Sequence, residues 1–149
     1  MPNKKLMSKP NNYHIEVVSW TAAEPLLRAV REPVFVVEQL VTPEFEWDEF
    51  DASATHILAL SAENEPIACA RIIGNKVGRM AVLKHWRSLG VGKAILEKAV
   101  AICRQNGEKA VKLSAQMHAI GFYANAGFVV TSAQYQDLHI PHVDMQLLL

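Results

Sequence analysis

The run Arg87-Ser-Leu-Gly-Val-Gly92 follows a short apolar segment, Met80-Ala-Val-Leu83, and opens a helical pattern over Lys93 to Gln105. A strand that feeds a glycine-bearing turn and then a helix presents backbone N–H groups to phosphate oxygens. Gly90 and Gly92 stand where a side chain would obstruct a ligand or a tight turn. The amides of Leu89, Gly90, Val91, Gly92 and Lys93 then converge on a pyrophosphate, and Arg87 either holds a phosphate or braces the turn. Alone, R-x-x-G-x-G also fits an ordinary helix start. A second stretch, Gln116 to Phe128, carries Tyr123 among small residues and two phenylalanines. A phenol near the end of a parallel sheet can donate a proton to a leaving group; the plain alternative is a half-buried tyrosine.

One phosphate-binding pattern is absent and a second fits poorly. No G-x-x-x-x-G-K-[ST] occurs, since Ala94 follows Lys93. A dinucleotide fingerprint belongs to a first βαβ unit with an acidic residue about twenty positions on, and here that region reads Val111 to Ser114.

The elements that must position these groups follow from the apolar pattern. Tyr13 to Trp20 alternates as a strand. Thr21 can cap a helix, with Glu24 in the capping-box position and Pro25 in an early turn; that helix runs to Pro33. Val34 to Leu40 reads as a second short helix. Thr42 to Ala52 is acidic and aromatic, a loop or short helix at a surface or cleft rim. His56–Ser61 and Ile67–Ile73 form a hairpin, and Gly78–Leu83 and Ala110–Ser114 are further strands. His118–Asn125 is a helix closed by Gly127. Phe128–Ser132 and Val143–Leu148 form a final hairpin. The order β-α-α-β-β-β-α-β-α-β-β predicts an α/β (α+β) fold, a mixed sheet with helices on both faces. Residues 1–12 read as a flexible leader and 13–149 as one domain.

The chain has 149 residues, half of them apolar, and 15 basic against 15 acidic side chains. This balance gives no reason to expect nucleic acid or an anionic membrane as main partner. No apolar stretch is long enough to span a bilayer, and the lysines near the N-terminus precede no hydrophobic run, so the expected location is cytoplasmic. Cys69 and Cys103 lie in apolar runs and read as buried thiols. The apolar tail Val143–Leu149 is expected to form an edge strand that could also pair between two copies in a homodimer.

Taken together, Met80-Ala-Val-Leu with Trp86-Arg-Ser-Leu-Gly-Val-Gly-Lys-Ala-Ile-Leu96, and the helix ending Phe122-Tyr123-Ala-Asn-Ala-Gly127-Phe128, resemble the GCN5-related N-acetyltransferase (GNAT) superfamily. Arg31-Glu-Pro-Val-Phe-Val-Val-Glu-Gln39, Asp51-Ala-Ser-Ala-Thr-His56 and Ile140-Pro-His142 extend the likeness to its ElaA/YjcF-like branch.

The resemblance implies the GNAT fold, with two central parallel strands, Gly78–Leu83 and Ala110–Ser114, splayed at one end around acetyl-CoA. It implies that the pyrophosphate meets the amides of Leu89 to Lys93 and that pantetheine pairs along Ala81, Val82 and Leu83. The Val82 amide would stabilise an oxyanion, and Tyr123 would protonate the departing thiolate, beside Phe122. Gln116 stands where an asparagine is common and is expected to reach the cofactor chain, while Ala119 keeps the small cofactor-side residue three positions later. Trp86 is expected to pack over the turn.

Direct acetyl transfer needs an unprotonated acceptor amine. Candidate bases are Glu38, Glu46, Asp51, His56 and, best placed, His142, whose residue type suits proton transfer near neutrality; His118 and His139 rank lower. The histidines lack a metal-ligand spacing, so no metal is expected. The acidic and aromatic loop suits a cationic amine: a polyamine-like compound, an amino sugar or a peptide terminus. The alternative function is a non-catalytic acyl-CoA-binding or regulatory module on the same fold.

Overall fold

The computed structural model describes residues 12–149. The expected leader lies outside that range, apart from Asn12. The elements are β1 (Tyr13–Val18), α1 (Trp20–Arg31), a π-helical segment (Glu32–Glu38), α2 (Pro43–Glu46), β2 (Thr55–Ser61), β3 (Pro66–Ile73), β4 (Lys76–Val82), α3 (Val91–Gln105), β5 (Ala110–Gln116), α4 (Ile120–Asn125), β6 (Val129–Val130), β7 (Tyr135–Asp137) and β8 (Ile140–Leu148). The strands form one sheet in the order β1-β2-β3-β4-β5-β8-β6, with β7 also on β8. Among the described residues only β4 and β5 pair in parallel. No helix among the described residues is long and apolar enough to cross a membrane.

Alternation along the strands builds two hydrophobic clusters, one on each face. Ile57, Ala59, Ala68 and Ala70 pack on Val91, Ile95, Leu96 and Ala99 of α3. Their sequence neighbours Leu58, Leu60 and Cys69 face the other way, onto Leu27 and Val30 of α1 and onto Val34 and Phe35. Cys69 and Cys103 are both buried, as expected, and burial pushes the Cys69 thiol up to about 12.

Several local expectations change. Ser19, not Thr21, caps α1: its hydroxyl accepts from the Ala22 N–H at 3.1 Å. Glu24 pairs with Arg28 one turn on at 2.9 Å instead of closing a capping box. Pro33 does not stop the helix. It has no N–H for the α ladder, and the chain widens into the π-helical segment, closed by the Gln39 N–H on the Val34 carbonyl at 3.1 Å. The strand β7 was not anticipated. The C-terminal strand starts at Ile140, runs through Pro141, and lies inside the sheet between β5 and the short β6 and β7. It is no edge strand, because β6 and β7 together cover its outer side.

The feature that shapes the site is a bulge in β4. Cys69 pairs with Ala81 and Arg71 with Gly78, so β4 holds one residue more than β3 between these pairs. Arg79 takes up the excess at φ 46°, a conformation non-glycine residues seldom adopt. An extra residue bends its strand and strengthens the local twist. Pairing between β4 and β5 is confined to Lys76–Lys112 and Val77–Leu113. Beyond them the strands part.

Candidate active site

The parting of β4 and β5 opens a cleft of about 1280 Å³, above the usual range of about 300–1,000 Å³ for single small-ligand pockets. One side is lined by Val82, Arg87, Gly90, Gly92, Lys93, Ala119, Phe122 and Tyr123. The opposite side is lined by the π-helical segment, the 42–54 loop, Ser114, Gln116 and His142.

The inner edge of β4 is available to a ligand. The Leu83 N–H is spent on the Ile67 carbonyl of β3 at 2.9 Å. Strand alternation turns the N–H and C=O of Val82 to the opposite edge, toward the gap. Arg87 reports the same direction, since its Nε donates to the Val82 carbonyl at 2.8 Å. Its Nη2 donates to Glu38 at 2.7 Å. Arg87 therefore braces the strand exit, and Glu38, a candidate base, is held in an ion pair.

Gly90 caps α3 at φ 88°, a left-handed conformation that glycine adopts without cost. The Ala94 N–H makes the first helical bond, to Gly90, so the N–H groups of Val91, Gly92 and Lys93 lie outside the helical ladder at the positive end of a four-turn helix. A Cβ on Gly90 would meet nothing within 4 Å, whereas one on Gly92 would stand 3.4 Å from the Phe122 ring and 3.5 Å from Val82. This amide cradle, with the open β4 edge, fits the pyrophosphate and pantetheine parts of a CoA ester. Trp86 packs edge-on against Tyr13 at 6.5 Å.

Tyr123 projects from α4 between Phe122 and Phe128, with ring centroids at 5.0 and 6.0 Å. Phe128 is a core residue, whereas Phe122 is 38% exposed on the cleft wall. The Tyr123 hydroxyl donates to Met80 Sδ at 3.8 Å. A thioether is a weak acceptor, so the proton is poorly engaged. Burial pushes the phenol up to about 12, so it stays protonated over the neutral range.

At the other end, Gln116 and Gln39 exchange amide hydrogen bonds at 2.8 and 3.4 Å, tying the tip of β5 to the end of the π-helical segment. His139 Nε2 donates to the Gln39 carbonyl at 2.7 Å. His142 Nδ1 donates to the Ile140 carbonyl at 2.7 Å, which leaves Nε2 as the acceptor nitrogen of the neutral ring. His142 and His118 line the cleft.

Three candidate bases are held in buried structural contacts. His56 is buried, with Nε2 on the Asp51 carbonyl at 2.9 Å and its ring against Trp20; burial lowers its pKa. Asp51 and Glu46 are 2% and 3% exposed and belong to no solvated face. Arg31 reaches Asp51 and Glu46 at 2.8 Å each, Arg71 reaches Asp51 at 3.0 Å and Asp48 at 2.7 Å, and Arg79 reaches Glu46 at 3.1 Å. Three arginines thus neutralise three carboxylates, which leaves Glu44 and Glu49 as the exposed acids of the loop. No group of three or more His, Cys, Asp or Glu among the described residues could hold a metal ion.

A family profile, the acetyltransferase (GNAT) domain, matches residues 22–149. The chain belongs to the GNAT family. YyaT of Bacillus subtilis is 37% identical over 123 residues, covering 78% of this chain and 82% of its own. The N-acetyltransferase YjcF of the same organism is 36% identical over 121 residues, covering 78% and 86%. The crystal structure of Escherichia coli ElaA superposes with a TM-score of 0.81 at 28% identity, covering 91% of this chain and 99% of that one. This GNAT protein therefore falls in the ElaA/YjcF-like branch, and its mixed sheet flanked by helices is the GNAT acyl-CoA N-acyltransferase fold. Membership carries the general activity: acetyl transfer to an amine acceptor, with acetyl-CoA as cosubstrate.

Sequence reasoning missed Gln39, Ser114, Tyr135, Arg71 and Arg79. For Ser114 a signal existed. Lys112, Ser114 and Gln116 alternate with the buried Val111, Leu113 and Ala115, so β5 has one polar face. For Tyr135 there was none, because its strand is only three residues long.

Proposed function

We propose that this protein moves the acetyl group of acetyl-CoA directly to a primary amine of a small molecule or peptide, within the cleft between β4 and β5. One observation carries the reading: the Val82 N–H faces the gap while the Tyr123 hydroxyl, beside Met80, is held protonated and weakly bonded. Bound acetyl-CoA supplies the acetyl group and leaves as the thiol. Val91, Gly92 and Lys93 donate their amide hydrogens to its phosphates, with Leu89 and Gly90 shaping the turn and Arg87 bracing it. Ala81, Val82 and Leu83 form the pantetheine edge. Val82 N–H donates to the carbonyl oxygen as it gains charge. Tyr123 gives its proton to the departing sulfur, a stronger acceptor than the thioether it now touches. Phe122 and Ala119 wall the channel, and Gln116 faces the acceptor side with His142. Glu38 lies beside Arg87 at the junction of the two halves.

The test is thiol release and product mass from acetyl-CoA with spermidine, glucosamine and a short peptide bearing a free N-terminus. Acetylation of at least one is expected. Acetyl-CoA binding without any acetyl product would favour the non-catalytic module instead. In the same preparation Gly92→Val, which forces its branches against Phe122 and Val82, is expected to weaken acetyl-CoA binding about tenfold, ~1.4 kcal/mol, by calorimetry.

A further inference from the structure

One polar cluster has no part in the donor chemistry. On the polar face of β5, Ser114 stands opposite Asp144 of β8, and Gln116 opposite His142. Tyr135 of β7 lies across this pair. Its hydroxyl contacts Ser114 Oγ and donates to Asp144 Oδ1 at 2.6 Å. Its ring is stacked on His142 with centroids 6.1 Å apart. Ser114 lines the large cleft. Asp144 lines a second hollow of about 230 Å³ with Lys76, Lys112 and Gln146, and is itself exposed. The hydroxyl of Tyr135 thus bridges two cavities.

The direction of the chain is fixed by chemistry. An ionised carboxylate only accepts, so Tyr135 must donate to Asp144. Its oxygen then receives the Ser114 hydroxyl hydrogen, and the lone pairs of Ser114 remain for a donor in the cleft. We infer that Ser114, Tyr135 and Asp144 form a proton exit that deprotonates the acceptor amine and discharges to the second hollow. The inference rests on the acetyl-transfer reading. One N–H bond of the ammonium breaks and its proton passes to Ser114 Oγ. The serine proton passes to the Tyr135 oxygen, and the Tyr135 proton to Asp144. The amine loses one proton, Asp144 gains one, and the two hydroxyls end neutral. Ser114 is the group that meets the amine; Tyr135 and Asp144 act through it.

The charged and titratable groups around the chain are His142 against the Tyr135 ring, Asp137 on the same hairpin, and Lys76 and Lys112 beside the second hollow. Burial first, then the bond to Asp144, raises the Tyr135 phenol, while the Ser114 hydroxyl bond lowers it.

The test has two arms. In the first, tyrosinate absorbance of the ligand-free protein is titrated, with Tyr135→Phe as the reference that isolates this phenol. Asp144→Asn is expected to shift its titration to lower pH and Ser114→Ala to higher pH. No shift in either variant would overturn the chain without reference to any substrate. In the second, kcat/KM is followed against pH for whichever amine of the spermidine, glucosamine and peptide panel turns over fastest. Tyr135→Phe and Ser114→Ala are expected to lower it about a hundredfold at neutral pH and to move the acid limb to higher pH, with the KM for acetyl-CoA held and Ser114→Thr restoring the profile. An acid limb intact in Tyr135→Phe yet displaced in His142→Gln would assign the proton to the imidazole and overturn the relay alone. Absence of wild-type turnover with every amine would defeat the acetyl-transfer reading and the relay with it.

Discussion

Tyr123→Phe is expected to lower kcat about a hundredfold, within the range of about 10²–10⁴ for a positioned acid or base, while acetyl-CoA binding changes less than about twofold. The ring packs against Phe122 and Phe128, and phenylalanine keeps both contacts. Only the hydroxyl, now on Met80 Sδ, is removed. Single-turnover thiol release with a calorimetric Kd separates the two effects. The phenol is pushed up to about 12 by burial, so Tyr123 itself causes no loss of rate between neutrality and pH 10. A basic limb in that range must come from another group. A phenylalanine variant of full activity would place the proton elsewhere.

Asp51→Asn is expected to cost about 3–5 kcal/mol, the usual result of removing one partner from a buried ion pair. That is a large share of a typical stability of about 5–15 kcal/mol, and corresponds to a Tm lower by about 10 °C or more. Asp51 is bound by both Arg31 and Arg71, so its loss leaves two guanidinium groups short of a counter-charge. Asparagine keeps the shape, so the fall measures charge. Burial alone would raise the Asp51 pKa; the hydrogen bonds and charges of Arg31 and Arg71 outweigh it and hold the carboxyl below its ordinary value. A depressed carboxylate contributes fully above its unfolded pKa of about 3.9. Its share is lost as the pH falls from there through the lower folded value. Glu46 runs the other way. Burial pushes its pKa up, so its contribution declines as the pH rises from the unfolded value through the folded one. Denaturant melts of wild type, Asp51→Asn and Glu46→Gln at pH 3, 4.5 and 7 check both signs. Equal Cm for wild type and Asp51→Asn at pH 7 would refute the account.

The donor half of the site was legible because its signal is local. A strand, a glycine turn and a helix start lie within a few residues, and the turn geometry depends on Gly90 and Gly92 themselves. The two-faced core was legible for the same reason, since alternation in β2 and β3 sorts side chains between α1 and α3. The acceptor half was not. Glu46 and Asp51 look like surface acids until Arg31, Arg71 and Arg79 arrive from a helix and two other strands. The cap at Ser19 turned on a single hydrogen bond that Thr21 could have made, and the π-helical segment on the N–H that Pro33 lacks. β7 exists because β8 offers it an edge, and nothing in Tyr135–Asp137 alone demands a strand.

The division of the core into two clusters has an engineering consequence. The donor cradle, α3 and Tyr123 are anchored on one face, and the wall made by α1 and the π-helical segment is anchored on the other. The chain between Pro33 and Ala54 is thus held in two ways, by Val34, Phe35 and Val41 in the second cluster and by Arg31, Arg71 and Arg79 on its carboxylates. A graft in this segment that keeps both sets of anchors leaves the donor cradle, packed on the other face, as it is.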